Sequence, residues 1–254
     1  MRAILILSLT MIFFGSELFA GGHSSTLQDV KARGKLRCVV TTGLPGFAAP
    51  DANGVWRGFD WDFCRATAAA VLGDANAVDP ITSTGKTRFT KLNAGEGDVL
   101  WRNTTITFSR DVSVKLRFLG VNYYDGQGFM VNKSLGVSSA KELDGASVCI
   151  QTGTTTELNL ADYFSSNNMS YEAVTIETND EARQNYEAGR CDIYTTDASG
   201  LASTRSSLPN PNDHMVLPEI ISKEPLGPAV RQGDDAWADI ITWVLAATLS
   251  LIHI

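Results

Sequence analysis

Along most of the chain, short apolar runs alternate with longer stretches in which apolar residues recur every three or four positions. The first pattern predicts buried strands and the second predicts amphipathic helices. "LRCVVTT", beginning at Leu36, reads as a strand, and "DWDFCRATAAAVLG", Asp60 to Gly73, as a helix stopped by its glycine. "RFTKLNAG", ending at Gly95, predicts a second helix, and "DVLW" a second strand. Further on, "SVCIQTG" and "CDIYTT" read as strands, and "TTELNLADYFSSNN" and "NDEARQNYEAG" as helices. Strand and helix in alternation predict α/β units with mostly parallel sheets.

The pattern partly repeats. Ala94–Val99 (AGEGDV) resembles Ala188–Ile193 (AGRCDI), each following a predicted helix and opening a strand. Each strand then ends in polar residues, Asn103-Thr104-Thr105 in one half and Thr195-Thr196-Asp197 in the other. "CVVTTG" at Cys38 parallels "CIQTG" at Cys149 in the same way. Two halves of similar plan explain both echoes, and "YYDGQGFMV", Tyr123 to Val131, lies between them as a crossing segment.

Composition narrows the class. With 254 residues, 44% hydrophobic and 19% charged, the chain is globular and has room for one large domain or two small ones. A net charge of −7, with no basic run and no RNA-binding signature, disfavours a nucleic-acid partner. The N-terminus departs from this plan: Arg2, then "AILILSLTMIFFG", then a small residue at Ala20 predict a cleaved secretory leader over residues 1–20. A membrane anchor is the competing reading, but the apolar run is short for a span of about 20 residues.

Export changes how the cysteines are read. Cys38, Cys64, Cys149 and Cys191 are an even number in a chain bound for an oxidising compartment. Sequence does not choose among their three pairings. Cys38–Cys64 with Cys149–Cys191 is favoured because each bridge then stays within one half, and buried free thiols are the alternative. Neither a CxxC motif nor a His/Cys cluster suggests a metal, and no cofactor motif is present; His23, His214 and His253 are scattered.

The polar strand ends carry the candidate chemistry, because ligands in open α/β sheets bind beyond the carboxyl ends of the strands. Arg110, five residues after Thr105, adds a planar guanidinium that can hold a carboxylate through two parallel hydrogen bonds, or can simply pair with Asp111 at the surface. "TGTTTE", Thr152 to Glu157, precedes a helix whose N-terminus favours an anion. Thr154 with Glu157 also fits a capping box that needs no ligand, which leaves Thr155 free to face a cleft. Asp197 is either the cap of a helix starting at Ala198, the simpler reading, or the acceptor for a cationic group. Together, an arginine and a helix start suit a carboxylate, an aspartate suits an ammonium, and Asn103 and Thr105 supply neutral hydrogen bonds. A zwitterionic amino acid requires that combination, since burying its charges unpaired would be prohibitive.

The strings "GFDWDFC", "RNTTITFSRD", "YYDGQGFMV", "IQTGTTTELNLADYF", "AGRCDIYTTDASGL" and "EIISKEPLGPAVRQGDD" resemble the periplasmic amino-acid-binding proteins of ABC importers, nearest to the general L-amino-acid branch. The resemblance runs from about Thr26 to about Ala247. It implies a two-lobe type II periplasmic binding protein fold, each lobe a mixed, mostly parallel sheet flanked by helices, joined by a two-strand hinge. Lobe 1 would take residues 21–125, lobe 2 residues 126–219, and residues 220–254 would return into lobe 1. By motif match Arg110 resembles the residue that grips the ligand's α-carboxylate, Asn103 and Thr105 nearby pocket donors, Thr155 the helix-start residue of the second lobe and Asp197 the α-ammonium acceptor. The implied partners are a free L-amino acid, of broad range, and a membrane permease, with the protein itself a periplasmic monomer that is not an enzyme.

Departures from the family pattern occur at two places. Relatives selective for cationic side chains carry aromatics near "TTGLPGF" and before the second helix, where this chain has Leu44 and Gly85. Past "AWADIITWV" the family continues with further helices, whereas "TLSLIHI" matches no family motif and is expected to be a non-native end to a truncated chain, leaving apolar surface on lobe 1 uncovered. Competing functions are a periplasmic lyase or dehydratase on the same scaffold and a sensor module. The first would need an acid–base pair in the cleft.

Overall fold

The computed structural model describes residues 25–251, so the expected leader at residues 1–20 lies outside the described residues. The chain opens with α1 (Thr26–Arg33), whose start is closed by a capping box: Ser25 Oγ accepts from Gln28 N–H and the Gln28 side chain accepts from Ser25 N–H. β1 (Leu36–Thr41), the small hairpin β2 (Ala49–Pro50) and β3 (Trp56–Arg57), and α2 (Phe59–Leu72) follow. Next come β4 (Val78–Ser83), α3 (Arg88–Asn93), β5 (Val99–Leu100), α4 (Phe108–Ser113) and β6 (Leu116–Phe118). β7 (Tyr123–Asp125) leads out of this part of the chain into β8 (Gln127–Asn132). Beyond it lie β9 (Ser147–Gln151), α5 (Thr155–Ser166), β10 (Glu172–Ile176), α6 (Asn179–Glu187), β11 (Ile193–Asp197), α7 (Ala198–Ser206) and β12 (His214–Val216). β13 (Glu224–Leu226) leads back into β14 (Ala229–Arg231) and α8 (Asp235–Leu251).

The strands form two five-stranded sheets of matching design, β4-β1-β5-β14-β6 and β10-β9-β11-β8-β12. In the first, β1 runs parallel to β4 and β5, while β14 is antiparallel to both β5 and β6. In the second, β9 runs parallel to β10 and β11, while β8 is antiparallel to β11 and β12. Four of five strands in each sheet therefore share a direction, and the reversed one is the strand entered from the crossing. The crossing is a two-stranded ribbon in which β7 pairs antiparallel with β13. The segment read as a crossing thus divides: Tyr123–Asp125 belongs to the ribbon, and Gln127 onward runs into the second sheet.

The inner parallel strands are buried almost throughout, as strands covered on both faces must be. β4 escaped the sequence reading because it carries Pro80 among polar residues; it sits at a sheet edge, where a missing N–H costs no ladder bond. Disulfides join Cys38 of β1 to Cys64 of α2, and Cys149 of β9 to Cys191 just before β11. Trp101 is buried and stacks on Phe63 with ring centroids 4.5 Å apart. Trp237 of α8 enters the same cluster and donates its indole N–H to the Asp98 carbonyl at 2.9 Å. α8 runs through the "TLSL" stretch, with Leu249 packed partly buried against the core; residues 252–254 lie outside the described residues. An apolar groove lined by Ala66, Ala70, Ile240, Trp243, Val244 and Ala247 lies between α2 and α8, and Trp243 is 73% exposed.

Candidate functional site

The polar residues that follow β4, β5, β9 and β11 converge on one cavity between the sheets. It is nearly closed, with a volume of about 20 Å³, and is lined by Arg88, Arg102, Asn103 and Thr105 from one side and by Gln151, Thr154, Thr155, Thr156, Thr196 and Asp197 from the other. Four of the five ligand residues expected from sequence are among them.

Local backbone chemistry places each group. Asn103 has a φ of 21°, at the margin of the left-handed region that asparagine tolerates. Its N–H donates to the buried Asp60 carboxylate at 2.8 Å, while its side-chain Oδ1 is buried without a partner. Thr105 forms a bridge with Leu226, and the loop is tied to the return segment by Ile106 N–H to Pro225 carbonyl (2.8 Å) and Gly227 N–H to Thr104 carbonyl (3.0 Å). The return segment also passes too close to Gly120 for a side chain: a Cβ at Gly227 would stand 2.0 Å from the Gly120 carbonyl oxygen and 3.1 Å from Ile106 Cδ1.

Arg110 is buried behind this loop. It donates to the Thr105 carbonyl at 2.9 Å, and its guanidinium carbon lies 5.4 Å from the Phe89 ring centroid. It is the one expected ligand residue outside the cavity lining. The surface pairing with Asp111 does not form; Asp111 instead accepts the Phe118 N–H at 3.2 Å.

On the opposite side Thr154 caps α5 by accepting the Glu157 N–H at 3.3 Å. Glu157 reaches back to Gly153 N–H at 3.1 Å, one residue earlier than a capping box would have it. Thr155 is left free to face the cleft. Its hydroxyl donates to Glu224 at 3.0 Å and lies 3.4 Å from the Thr105 hydroxyl. Asp197 does occupy the N-cap position of α7, which starts at Ala198, but its side chain makes no cap hydrogen bond. Held at the end of β11 and only 6% exposed, the carboxylate faces the cavity instead.

Three buried residues of this region were not singled out as ligand groups. Arg88 and Arg102 line the cavity, but in "KTRFT" and "LWRN" they look like ordinary surface or strand-edge cations. Glu224, which the sequence shows only within "EIISKEPLGPAVRQGDD", is 3% exposed and accepts from Thr155, from Asn159 Nδ2 at 2.7 Å and from Ser222 Oγ at 2.7 Å. No spacing signal marks them, because they come from three separate places in the chain: the start of α3, the stretch after β5 and the start of β13.

Burial and mutual charge govern the electrostatics. Burial, with Asp125 and Glu224 nearby, pushes Asp197 up to about 7 against the pull of Arg88 and Arg110. Burial also raises Asp60 to about 6, opposed by the Asn103 N–H and by Arg102. The guanidinium groups shift the other way: burial lowers Arg102 to about 10, and lowers Arg88 and Arg110 as well. The cleft is thus a desolvated site holding both signs of charge.

Residues 36–250 match the family described as bacterial extracellular solute-binding proteins, family 3. The chain belongs to this family. The matched span includes Thr248–Ser250, which the sequence reading had set apart from the family pattern. This solute-binding protein is 63% identical over 243 residues to the glutamate/glutamine/aspartate/asparagine-binding protein BztA of Rhodobacter capsulatus, covering 94% of this chain and 72% of that one. It is 58% identical over 240 residues to the general L-amino acid-binding periplasmic protein AapJ of Rhizobium johnstonii, covering 93% and 70%. Among solved structures, the ABC transporter periplasmic binding protein of Brucella ovis with glutathione bound aligns with a TM-score of 0.85 and 57% identity, over 87% of this chain and 70% of that chain. The two matched sheets and their crossing ribbon are the two lobes and hinge of a type II periplasmic binding protein. Among the described residues, no helix is long and apolar enough to cross a membrane.

Proposed function

We propose that this protein captures L-amino acids of broad range in the periplasm by closing its lobes around them, and delivers them to the permease of an ABC importer. The observation that carries this reading is Asp197. A buried carboxylate that makes no cap bond to its helix, set in a cavity with arginines across it, is suited to a ligand bearing an ammonium beside a carboxylate. Arg110 serves the α-carboxylate, reaching it through a small adjustment of the Thr105 loop. Thr155 and the N–H groups at the start of α5 add donors from the second lobe, and Asn103 and Thr105 complete the first. The names of the relatives, which bind glutamate, glutamine, aspartate and asparagine in one case and L-amino acids generally in the other, support the ligand class.

In this reading residues 21–125 and 220–254 form one lobe and residues 126–219 the other. The protein works as a monomer exported by a cleaved leader and is not an enzyme. Ligand shifts the lobes toward closure because only the closed form contacts it from both sides.

A thermal-melt screen of the mature chain against the twenty amino acids, sugars and small dicarboxylates tests the reading. A ligand at a hundred times its dissociation constant adds about 2.7 kcal/mol, roughly 5–10 °C for a chain of this size. Shifts with many L-amino acids support the function; a cooperative melt that none of them moves contradicts it.

A further inference from the structure

Away from the hinge ribbon, the lobes are joined by the side chain of Ser203. It lies on α7 in the second lobe, and its hydroxyl donates to the Pro45 carbonyl of the first lobe at 2.6 Å. The two residues are 158 positions apart in sequence, and neither lines the cleft cavity. The acceptor is held in place by its own loop. Phe47 N–H and Ala48 N–H both donate to the Leu44 carbonyl at 3.0 Å, which closes the turn around Pro45. Phe59 N–H donates to the Gly46 carbonyl and Asp60 N–H to the Phe47 carbonyl, each at 2.9 Å, which fastens the turn to the start of α2.

α7 presents a second hydroxyl on the same face. Ser199 precedes Ser203 by four residues, about one helical turn. Ser199 donates its hydroxyl to Asp125, and its N–H to the same carboxylate at 3.4 Å. Asp125 belongs to β7 of the hinge ribbon, so this contact sits at the pivot. Ser203 lies about 6 Å farther along the helix axis. When one lobe turns about the ribbon, contacts lengthen in proportion to their distance from it. Opening therefore spares Ser199 and parts Ser203 from Pro45. α7 also carries Asp197 at its N-cap position, so whatever holds this helix against the first lobe holds Asp197 toward the arginines across the cleft. The cavity of about 20 Å³ shows that the lobes are closed here, with the Ser203 bond formed.

We propose that Ser203 is a latch of the closed form: through the Pro45 carbonyl it holds α7 and Asp197 against the first lobe, and so sets how fast a bound amino acid leaves without touching it. This rests on the amino-acid and lobe-closure reading above. Ser203 is a positioning residue. Its bond is made when the lobes meet and broken when they part, so it shifts the open–closed equilibrium by one factor whatever the ligand's side chain.

The test measures dissociation rates of L-glutamate and L-alanine by rapid mixing, with affinities from calorimetry, for wild type, Ser203→Ala and Ser203→Thr. Loss of one neutral hydrogen bond sets the scale. Ser203→Ala is expected to speed release of both ligands by the same factor, about twofold to tenfold, with association rates changed by less than about twofold. Ser203→Thr keeps the hydroxyl and should release both ligands at nearly the wild-type rate. The melting temperature of unliganded Ser203→Ala should match wild type within a few degrees, since the site is on the lobe rim and outside both cores. Unchanged release from Ser203→Ala would overturn the latch. So would release from Ser203→Thr as fast as from Ser203→Ala, or losses that differ between the ligands by more than about threefold, which would place Ser203 in ligand contact. Absence of binding by any amino acid to wild type would overturn the function itself along with the latch, whereas unchanged release with wild-type binding intact overturns the latch alone.

Discussion

The hydroxyl of Thr155, on the first turn of α5, lies 3.4 Å from the hydroxyl of Thr105, which belongs to the opposite lobe. It also donates to Glu224 at 3.0 Å, so a carboxylate of the hinge ribbon is tied to the helix start that faces the ligand. Thr155→Val keeps the shape and removes the hydroxyl. The expected result is amino-acid binding weaker by about 1–3 kcal/mol with helix α5 intact, checked by titration and circular dichroism. Unchanged affinity would remove Thr155 from the site.

Closure also depends on a small residue at 85. A Cβ on Gly85 would lie 2.8 Å from Thr154 Cγ2 and 3.2 Å from the Thr152 carbonyl oxygen, both across the cleft. Gly85→Val is expected to hold the lobes apart, weakening all amino acids together while leaving the unliganded melting temperature within a few degrees of wild type. Small-angle scattering with saturating ligand should then show no compaction. Normal compaction would show that the lobes meet differently when they close.

Asp197 makes the protein pH-sensitive in a definite direction. Its folded-state value of about 7 lies above that of an unfolded aspartate. Between about pH 4 and 7 the folded protein keeps a proton that the unfolded chain has released, so this residue makes stability fall as pH rises through that window. Asp60, raised to about 6, acts in the same sense over a narrower range. Melting curves of wild type and Asp197→Asn should therefore diverge with rising pH, the variant being relatively more stable near pH 8. Ligand affinity moves the other way. An ammonium needs the ionised carboxylate, so binding should weaken below pH 7 by up to about tenfold per unit. Parallel curves for the two proteins would contradict the placement of Asp197.

The two disulfides close loops of 26 and 42 residues in sequence separation. On the chain-entropy account each contributes about 3–4 kcal/mol by restricting the unfolded chain. Replacing Cys149 and Cys191 together with alanine should lower the melting temperature markedly and leave ligand affinity at a saturating temperature margin unchanged, since neither cysteine lines the cavity. A loss of affinity without loss of stability would show that the bridge shapes the site.

Sequence made the regular elements legible where the pattern was strong. The helix predicted at Asp60 to Gly73 is α2, ended by Gly73 in a left-handed cap, and "LRCVVTT" is β1. It failed where tertiary contacts decide. β4 contains proline and alternates weakly, and β8 begins in a glycine-flanked stretch, so both were passed over as strands. In the site, Asn103, Thr105, Thr155 and Asp197 were accessible because each ends a recognisable strand or begins a helix. Arg88, Arg102 and Glu224 were not, because nothing local distinguishes a cation or acid that folds inward from one left in water. Asp197 holds the cap position that its residue type suggested, but its carboxylate lines the cleft and makes no cap bond.

The measurement that reaches the central claim most directly is a paired titration of the wild-type protein with L-glutamate and with glutarate, which differs from it only in lacking the α-ammonium. A cleft built around Asp197 and the arginines should bind glutamate at one site per chain and glutarate at least about a hundredfold more weakly, since a charge-assisted contact to a desolvated carboxylate is lost. Equal affinity for the two, or no binding of either, would contradict the claim that this cleft recognises amino acids.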